Sequence, residues 1–117
     1  MFKEKTMAEL KFPEITVGTI FCVGIGCTSR YPYFFKVIKR TACGATLAQL
    51  KSRIVHDDGY GQNGTMTAID EIDERGETIT RRLIGPKYDW QKQPFFKYNK
   101  WWGGYVWNGQ PEMFYTD

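Results

Sequence analysis

Turn-forming residues interrupt this chain too often for it to fold as anything but short segments. Turn signals carried by Gly, Pro, Asn and Asp fall at 24–32, 42–45, 56–64, 73–76, 85–94 and 108–111, and leave runs of only about eight to thirteen residues between them. A helix needs a longer uninterrupted stretch of 3.6-residue periodicity. Residues 3–10 offer a turn or two of it before Pro13 stops them, and Ala48 to Lys51 would also tolerate helix, although the flanking turn and the β-branched end favour strand there. Between the interruptions lie short apolar runs rich in β-branched and aromatic residues. Aromatics make up 16% of the 117 residues, and 12 are glycine, a pairing that suits pleated, half-buried strands joined by tight turns.

The expected architecture is a single small antiparallel β-barrel, mostly β with little helix, SH3-like or OB-like. It occupies residues 15–117, and residues 1–14 form a leader or short strap. Strands are predicted over 15–25, 33–41, 46–55, 65–73, 77–84, 95–98 and 112–116. The first reads as buried on both faces. In the second, Phe35 and Val37 share one face while Phe34, Lys36, Ile38 and Arg40 share the other. Residues 42–45 read as a hairpin turn in which Gly44 takes a positive φ, and 73–76 as the clearest hairpin turn in the chain. A chain of this length buries roughly two-thirds of its unfolded surface, enough to fold without metal or disulfide staples.

The three cysteines, Cys22, Cys27 and Cys43, are odd in number and lack C-x-x-C spacing, so free thiols in a reducing compartment are expected. No apolar run reaches the ~20 residues that span a bilayer, and residues 1–5 lack a signal-peptide core. The expected location is the cytoplasm of a bacterial host, with no membrane partner.

Net charge is only +3, but it is blocked. Residues 30–53 carry Arg30, Lys36, Lys39, Arg40, Lys51 and Arg53 and no acid. Residues 54–80 carry Asp57, Asp58, Asp70, Glu71, Asp73, Glu74 and Glu77 against Arg75. Residues 81–111 turn basic again. This excludes a uniform polyanion mimic and leaves contact with phosphates open.

Three of the four tryptophans lie at Trp101, Trp102 and Trp107, in a glycine-flanked stretch. With Trp90 and Tyr105 they interleave with Lys92, Lys97 and Lys100. Rings that stack bases and lysines that neutralise phosphates make single-stranded nucleic-acid sites. The same residue types make protein hot spots, and they also fill small barrel cores. Adjacent residues on a strand point to opposite faces, so Trp101 and Trp102 are expected to split, one into the core and one outward, with 103–104 as a bend after them. The binding residues expected are therefore Trp90, Lys92, Lys97, Lys100, Trp101, Trp102, Tyr105 and Trp107.

Other chemistry is thin. His56, the only histidine, precedes Asp57 and Asp58, but no second histidine or cysteine pair completes a metal shell and the spacing misses the calcium-loop pattern. A solvated loop is expected there, with an enzyme using His56 and Asp57 or Asp58 as the remote alternative. Cys22 is expected in the core. The Gly24-Ile25-Gly26 loop lacks the lysine of a P-loop and the third glycine of a dinucleotide fingerprint. No cofactor, metal or catalytic residue is expected.

The order Val17-Gly18-Thr19-Ile20-Phe21, a glycine-containing loop, Tyr33-Phe34-Phe35-Lys36-Val37-Ile38, a β-hairpin, Thr78-Ile79-Thr80-Arg81-Arg82-Leu83-Ile84 and a closing Val106-Trp107-Asn108-Gly109-Gln110-Pro111 resembles a group of small phage and plasmid proteins. Their pattern runs "VGDIF", "DFYQV", "LWDGKP". Thr19 and Asn108 stand where that pattern has acidic residues, and residues 26–32 lack its tryptophan. The resemblance implies a mobile-element origin and a compact β-barrel, and no catalytic residue. The expected function is accordingly non-enzymatic binding of a host macromolecule, a protein or ribonucleoprotein, as in an anti-CRISPR-like inhibitor of host defence. Direct binding of single-stranded nucleic acid is the alternative.

Overall fold

Alternating apolar residues and closely spaced turns leave the chain one economical way to pair its backbone groups, an antiparallel sheet that curls on itself. The computed structural model describes residues 10–27, 29–86 and 91–116, and among them there is no helix. The strands are β1 (Ile20–Ile25), β2 (Tyr31–Arg40), β3 (Gly44–Asp57), β4 (Asn63–Ile72), β5 (Thr78–Arg82), β6 (Phe95–Lys97), β7 (Gly103–Val106) and β8 (Glu112–Tyr115). Their order is β6-β7-β1-β2-β3-β4-β8, with β5 also paired to β3, and every pairing is antiparallel. Ile84 and Phe95 then exchange both backbone hydrogen bonds, at 2.7 and 2.9 Å. That bridge joins the end of β5 back to β6 and draws β6-β7-β1-β2-β3-β5 into the small β-barrel expected.

The barrel interior holds Phe21, Val23, Phe35, Val37, Leu47, Ile79 and Phe96, with Ile15 and Leu83 closing its ends. A second cluster, Cys22, Phe34 and Leu50, lies on the other side of β1 and β2, packed by Ile20, Ala68 and Trp107. Strand alternation puts neighbours Phe34 and Phe35 on opposite faces, yet each is only 1% exposed. The central strands are thus covered on both sides.

Several boundaries differ from the expected ones, each for a physical reason. β1 starts at Ile20, because Thr16 to Thr19 form a tight turn in which the Thr16 N–H donates to Thr19 Oγ1 and Gly18 takes φ +103°. Pro32 lies inside β2 and does not precede it. The Val37 N–H and C=O both bond toward the β1 side, to Thr19 O and Gly18 N. Alternation therefore turns the Pro32 nitrogen the other way, where β3 has already parted from β2 beyond the Phe35–Gln49 pair, so no N–H is needed. Gly44 begins β3 without a positive φ; a Cβ there would meet Arg81 O at 2.5 Å, so close approach of β5 is what selects glycine.

The largest correction concerns residues 73–76. They are not a hairpin turn, because β4 and β5 run one after the other along the same edge of β3. The Ile72–Leu50 pair is followed by the Thr78–Ala48 pair. At Gln49 the two bonds that one opposing residue would normally supply are divided: Asp73 N donates to Gln49 O, and Gln49 N donates to Glu77 O, both at 2.9 Å. Residues 74–77 are thus a looped-out insertion in one long strand. The Glu77 N–H rests on Gln49 Oε1, and the Tyr98 hydroxyl donates to the Glu77 carboxylate.

Before β1, residues 10–15 form a strap. The Arg40 guanidinium donates to the carbonyls of Lys11, Phe12 and Ile15. Burial of that guanidinium lowers its pKa from the ordinary arginine value.

Candidate binding groove

β6 and β7 form a hairpin whose turn carries the tryptophan pair. Lys97 pairs with Gly103, and the Tyr98 N–H donates to Trp102 O at 2.9 Å. Inside the turn, Asn99 Oδ1 accepts from the N–H groups of both Trp101 (2.8 Å) and Trp102 (2.9 Å). Asn99 acts here as an Asx cap and fixes where the two rings leave the backbone. Trp102 packs against the barrel core, whereas Trp101 is 71% exposed with Lys100 Nζ 4.8 Å from its ring centroid. One ring goes inward and the other outward, but the cause is the Asn99 turn and not strand alternation.

Gly103 and Gly104 are not a bend. They lie in β7, and Gly104 is directly opposite Phe96. A Cβ on Gly104 would penetrate the Phe96 ring, so the glycine exists to let that ring lie flat across the strand. Beyond it Tyr105 turns outward, stacked on Phe95 at 5.6 Å, and Val106 turns inward against the core. Trp107 is also outward. Its ring meets Phe34 edge-on at 5.1 Å and its indole N–H donates to Gln110 O at 2.7 Å.

These residues wall a cleft of about 400 Å³ lined by Trp101, Trp102, Gly103, Tyr105, Val106, Trp107 and Asn108 on one side and Cys22, Gly24, Arg30 and Glu112 on the other. A second cleft of about 310 Å³ adjoins it, sharing residues 105–108 and adding Lys92, Gln93 and Pro94. Together they make one aromatic groove. Lys92 lines its second half. Lys97, two residues from Phe95 on β6 and opposite Gly103, faces the same side as Tyr105. Lys100 stands at its Trp101 end. Trp90 lies outside the described residues.

The opposite wall was not legible in the sequence. Arg30 Nη2 donates to Glu112 Oε1 at 3.0 Å, and Nη1 donates to Met113 O. Arg30 also exchanges backbone bonds with Tyr115, which ties β8 to the entry of β2. Gly24 makes room for this, because a Cβ there would stand 2.7 Å from Arg30 Nε. Beneath the pair, burial first and the Glu112 charge second push the Cys22 thiol up to about 12. It is therefore protonated at neutral pH and no nucleophile. Arg30 and Glu112 are 82 positions apart, so no local spacing announces them. The one available signal was Gly24, a glycine inside a strand.

His56 sits in β3, exposed, opposite Thr65 of β4, which pairs in turn with Met113 of β8, and it lines neither half of the groove. The neighbouring carboxylates serve the loop. Asp57 Oδ1 accepts from Gly59 N, and Asp58 accepts from Tyr60 N and from Asn63 Nδ2. Those bonds, the Tyr60 N–H foremost, hold the Asp58 carboxyl below its ordinary pKa. Among the described residues no three His, Cys, Asp or Glu side chains converge as metal ligands. No helix of the described residues is long and apolar enough to cross a membrane. No family model, no curated protein and no solved structure matches this chain.

Proposed function

We propose that this chain is a non-enzymatic binding protein that docks a host protein, alone or within a ribonucleoprotein, in the groove between the Trp101-to-Trp107 wall and the Arg30–Glu112 pair. The observation that carries the reading is the pairing of a 71% exposed Trp101 with a concave wall of Trp102, Tyr105 and Trp107 around a half-buried ion pair. Tryptophan, tyrosine and arginine gathered in a concave surface are the residue types that protein hot spots are made of. The Glu112 carboxylate weighs against a phosphodiester chain along the floor, and the two signs of charge suit the donors and acceptors of a peptide. The mobile-element resemblance supplies the kind of target, a component of bacterial defence met in the host cytoplasm.

A second reading, single-stranded nucleic acid in the same groove, is favoured by Lys92, Lys97 and Lys100 around the rings. Capture from bacterial lysate on immobilised protein, with and without nuclease, separates the two. Host-protein docking gives a stoichiometric band that survives nuclease and vanishes with Trp101→Ala. Nucleic-acid binding gives affinity that collapses with salt and with Lys97→Ala or Lys100→Ala. Capture indifferent to Trp101, Trp102 and Tyr105 substitutions would discard the groove altogether.

A further inference from the structure

Beyond Gln49, β3 leaves β2 and continues as the spine of an arm whose other edge is held by β4. The radius of gyration, 15.4 Å, exceeds the roughly 13 Å of a compact chain of this length, and the longest extent is 60 Å. Along 50–57 the edge of β3 that faced β2 has no strand beside it among the described residues. On this arm Ile54 is 50% exposed, Val55 45% and Tyr60, at the tip, 83%. Where β2 and β3 part, a cleft of about 450 Å³ opens between residues 31–34 and 49–52.

An unpaired edge is normally defended by charge, and Lys51 and Arg53 serve that end against an arbitrary strand. Neither has an ion-pair partner among the described residues. The bulge between Ile54 and His56 adds to the defence by interrupting the ladder. But the charges are polar along the strand, with Lys51 and Arg53 at its start and Asp57 and Asp58 at its end. Laid antiparallel on itself, this edge meets its own complement; laid parallel, it meets like charges.

We infer that the β3 edge of residues 51–57 is the interface for a second copy of this chain, the two strands antiparallel about a two-fold axis at Ile54. Lys51 then faces the partner's Asp57 at both ends, Ile54 packs on its own copy, and Arg53 lies beside Val55. The partner's loop tip, with Tyr60, falls beside Leu50 and Gln49, at the cleft that the parting of β2 and β3 leaves open. The interface is isologous, so it closes at two copies and leaves the aromatic groove of each open.

The test is the mass of the full chain in solution by sedimentation velocity, at roughly 100 µM, which populates even a micromolar dimer. The expected result is twice the 13.6 kDa chain mass. Reversing one end (Lys51→Glu with Arg53→Glu) or the other (Asp57→Lys) should give two monomeric, folded proteins by circular dichroism. Mixing those two variants should restore a dimer, because each reversed end now meets its opposite, and damage to the fold cannot produce that recovery. A monomeric wild-type chain, dimers that survive either reversal, or a mixture that stays monomeric would each overturn the inference.

Discussion

Gly104→Ala tests the interior of the barrel at its tightest point. Phe96 is fully buried, edge-on to Phe21 at 5.2 Å and to Phe35 at 6.5 Å, and its ring occupies the space that the added methyl would need. The ring cannot slide away without driving into Phe21 or Phe35. Overpacking of this kind costs about 1–3 kcal/mol. Alanine recovers about 0.4–1 kcal/mol by restricting the unfolded chain. The net loss expected is therefore roughly 1–2 kcal/mol, a fall in Tm of about 4–10 °C for a domain of this size. Urea unfolding followed by tryptophan fluorescence reads it as a lower midpoint at unchanged slope. Phe96→Leu, itself destabilising, should relieve the clash, so the double variant should be at least about 1 kcal/mol more stable than the single losses add to. An unchanged midpoint in Gly104→Ala, or strict additivity with Phe96→Leu, would refute the close approach of ring to glycine.

Other parts of the fold give equally direct expectations. Arg30→Met strands the Glu112 carboxylate and the Met113 carbonyl, and should lower stability by about 1–3 kcal/mol in the same urea assay. Of the three thiols, the exposed Cys27 and Cys43 should react with a maleimide in the native state, while Cys22 should label only on unfolding, as mass spectrometry would record. The Cys22 thiol is raised in the folded state, so its contribution is fully present below the ordinary thiol pKa and is lost as pH climbs from about 9 toward about 12. The Tyr98 hydroxyl, raised to about 12 by its bond to Glu77, fades over the upper part of that window, so Cys22→Ala should flatten only part of the alkaline decline in Tm. Deleting residues 74–77 should leave Asp73 supplying both bonds to Gln49 and preserve the fold. A deletion variant that lost its β-sheet circular dichroism would refute the reading of β4 and β5 as one interrupted strand.

The sequence carried the strand content and the barrel because both follow from local facts. Glycine and proline spacing set strand lengths, and β-branched and aromatic residues marked the faces that needed covering. It misjudged pairing wherever a partner distant in the chain decided the outcome. Residues 73–76 have every local mark of a hairpin turn, and only Gln49, on another strand, reveals that β4 and β5 share one edge. The tryptophan wall of the groove was legible as a concentration of large rings. The facing wall was not, because Arg30, Glu112 and Gly24 meet only after β8 has folded against β4 and the entry of β2. The Trp101–Trp102 divergence was expected for strand geometry and arises from a side-chain amide, Asn99, which no periodicity encodes.

The double coverage of β1 and β2 has a consequence for how the molecule comes apart. Phe21 and Phe35 belong to one cluster, Cys22 and Phe34 to the other, and both clusters are anchored on the same two backbones. Neither cluster can melt while those strands stay in register, and neither keeps its floor once they separate. Two spatially distinct cores should therefore unfold in a single transition, with calorimetric and van't Hoff enthalpies equal. In native-state hydrogen exchange the amides of β1 and β2 should be the last to open, through the global event alone, while the outer half of the arm exchanges by local fraying.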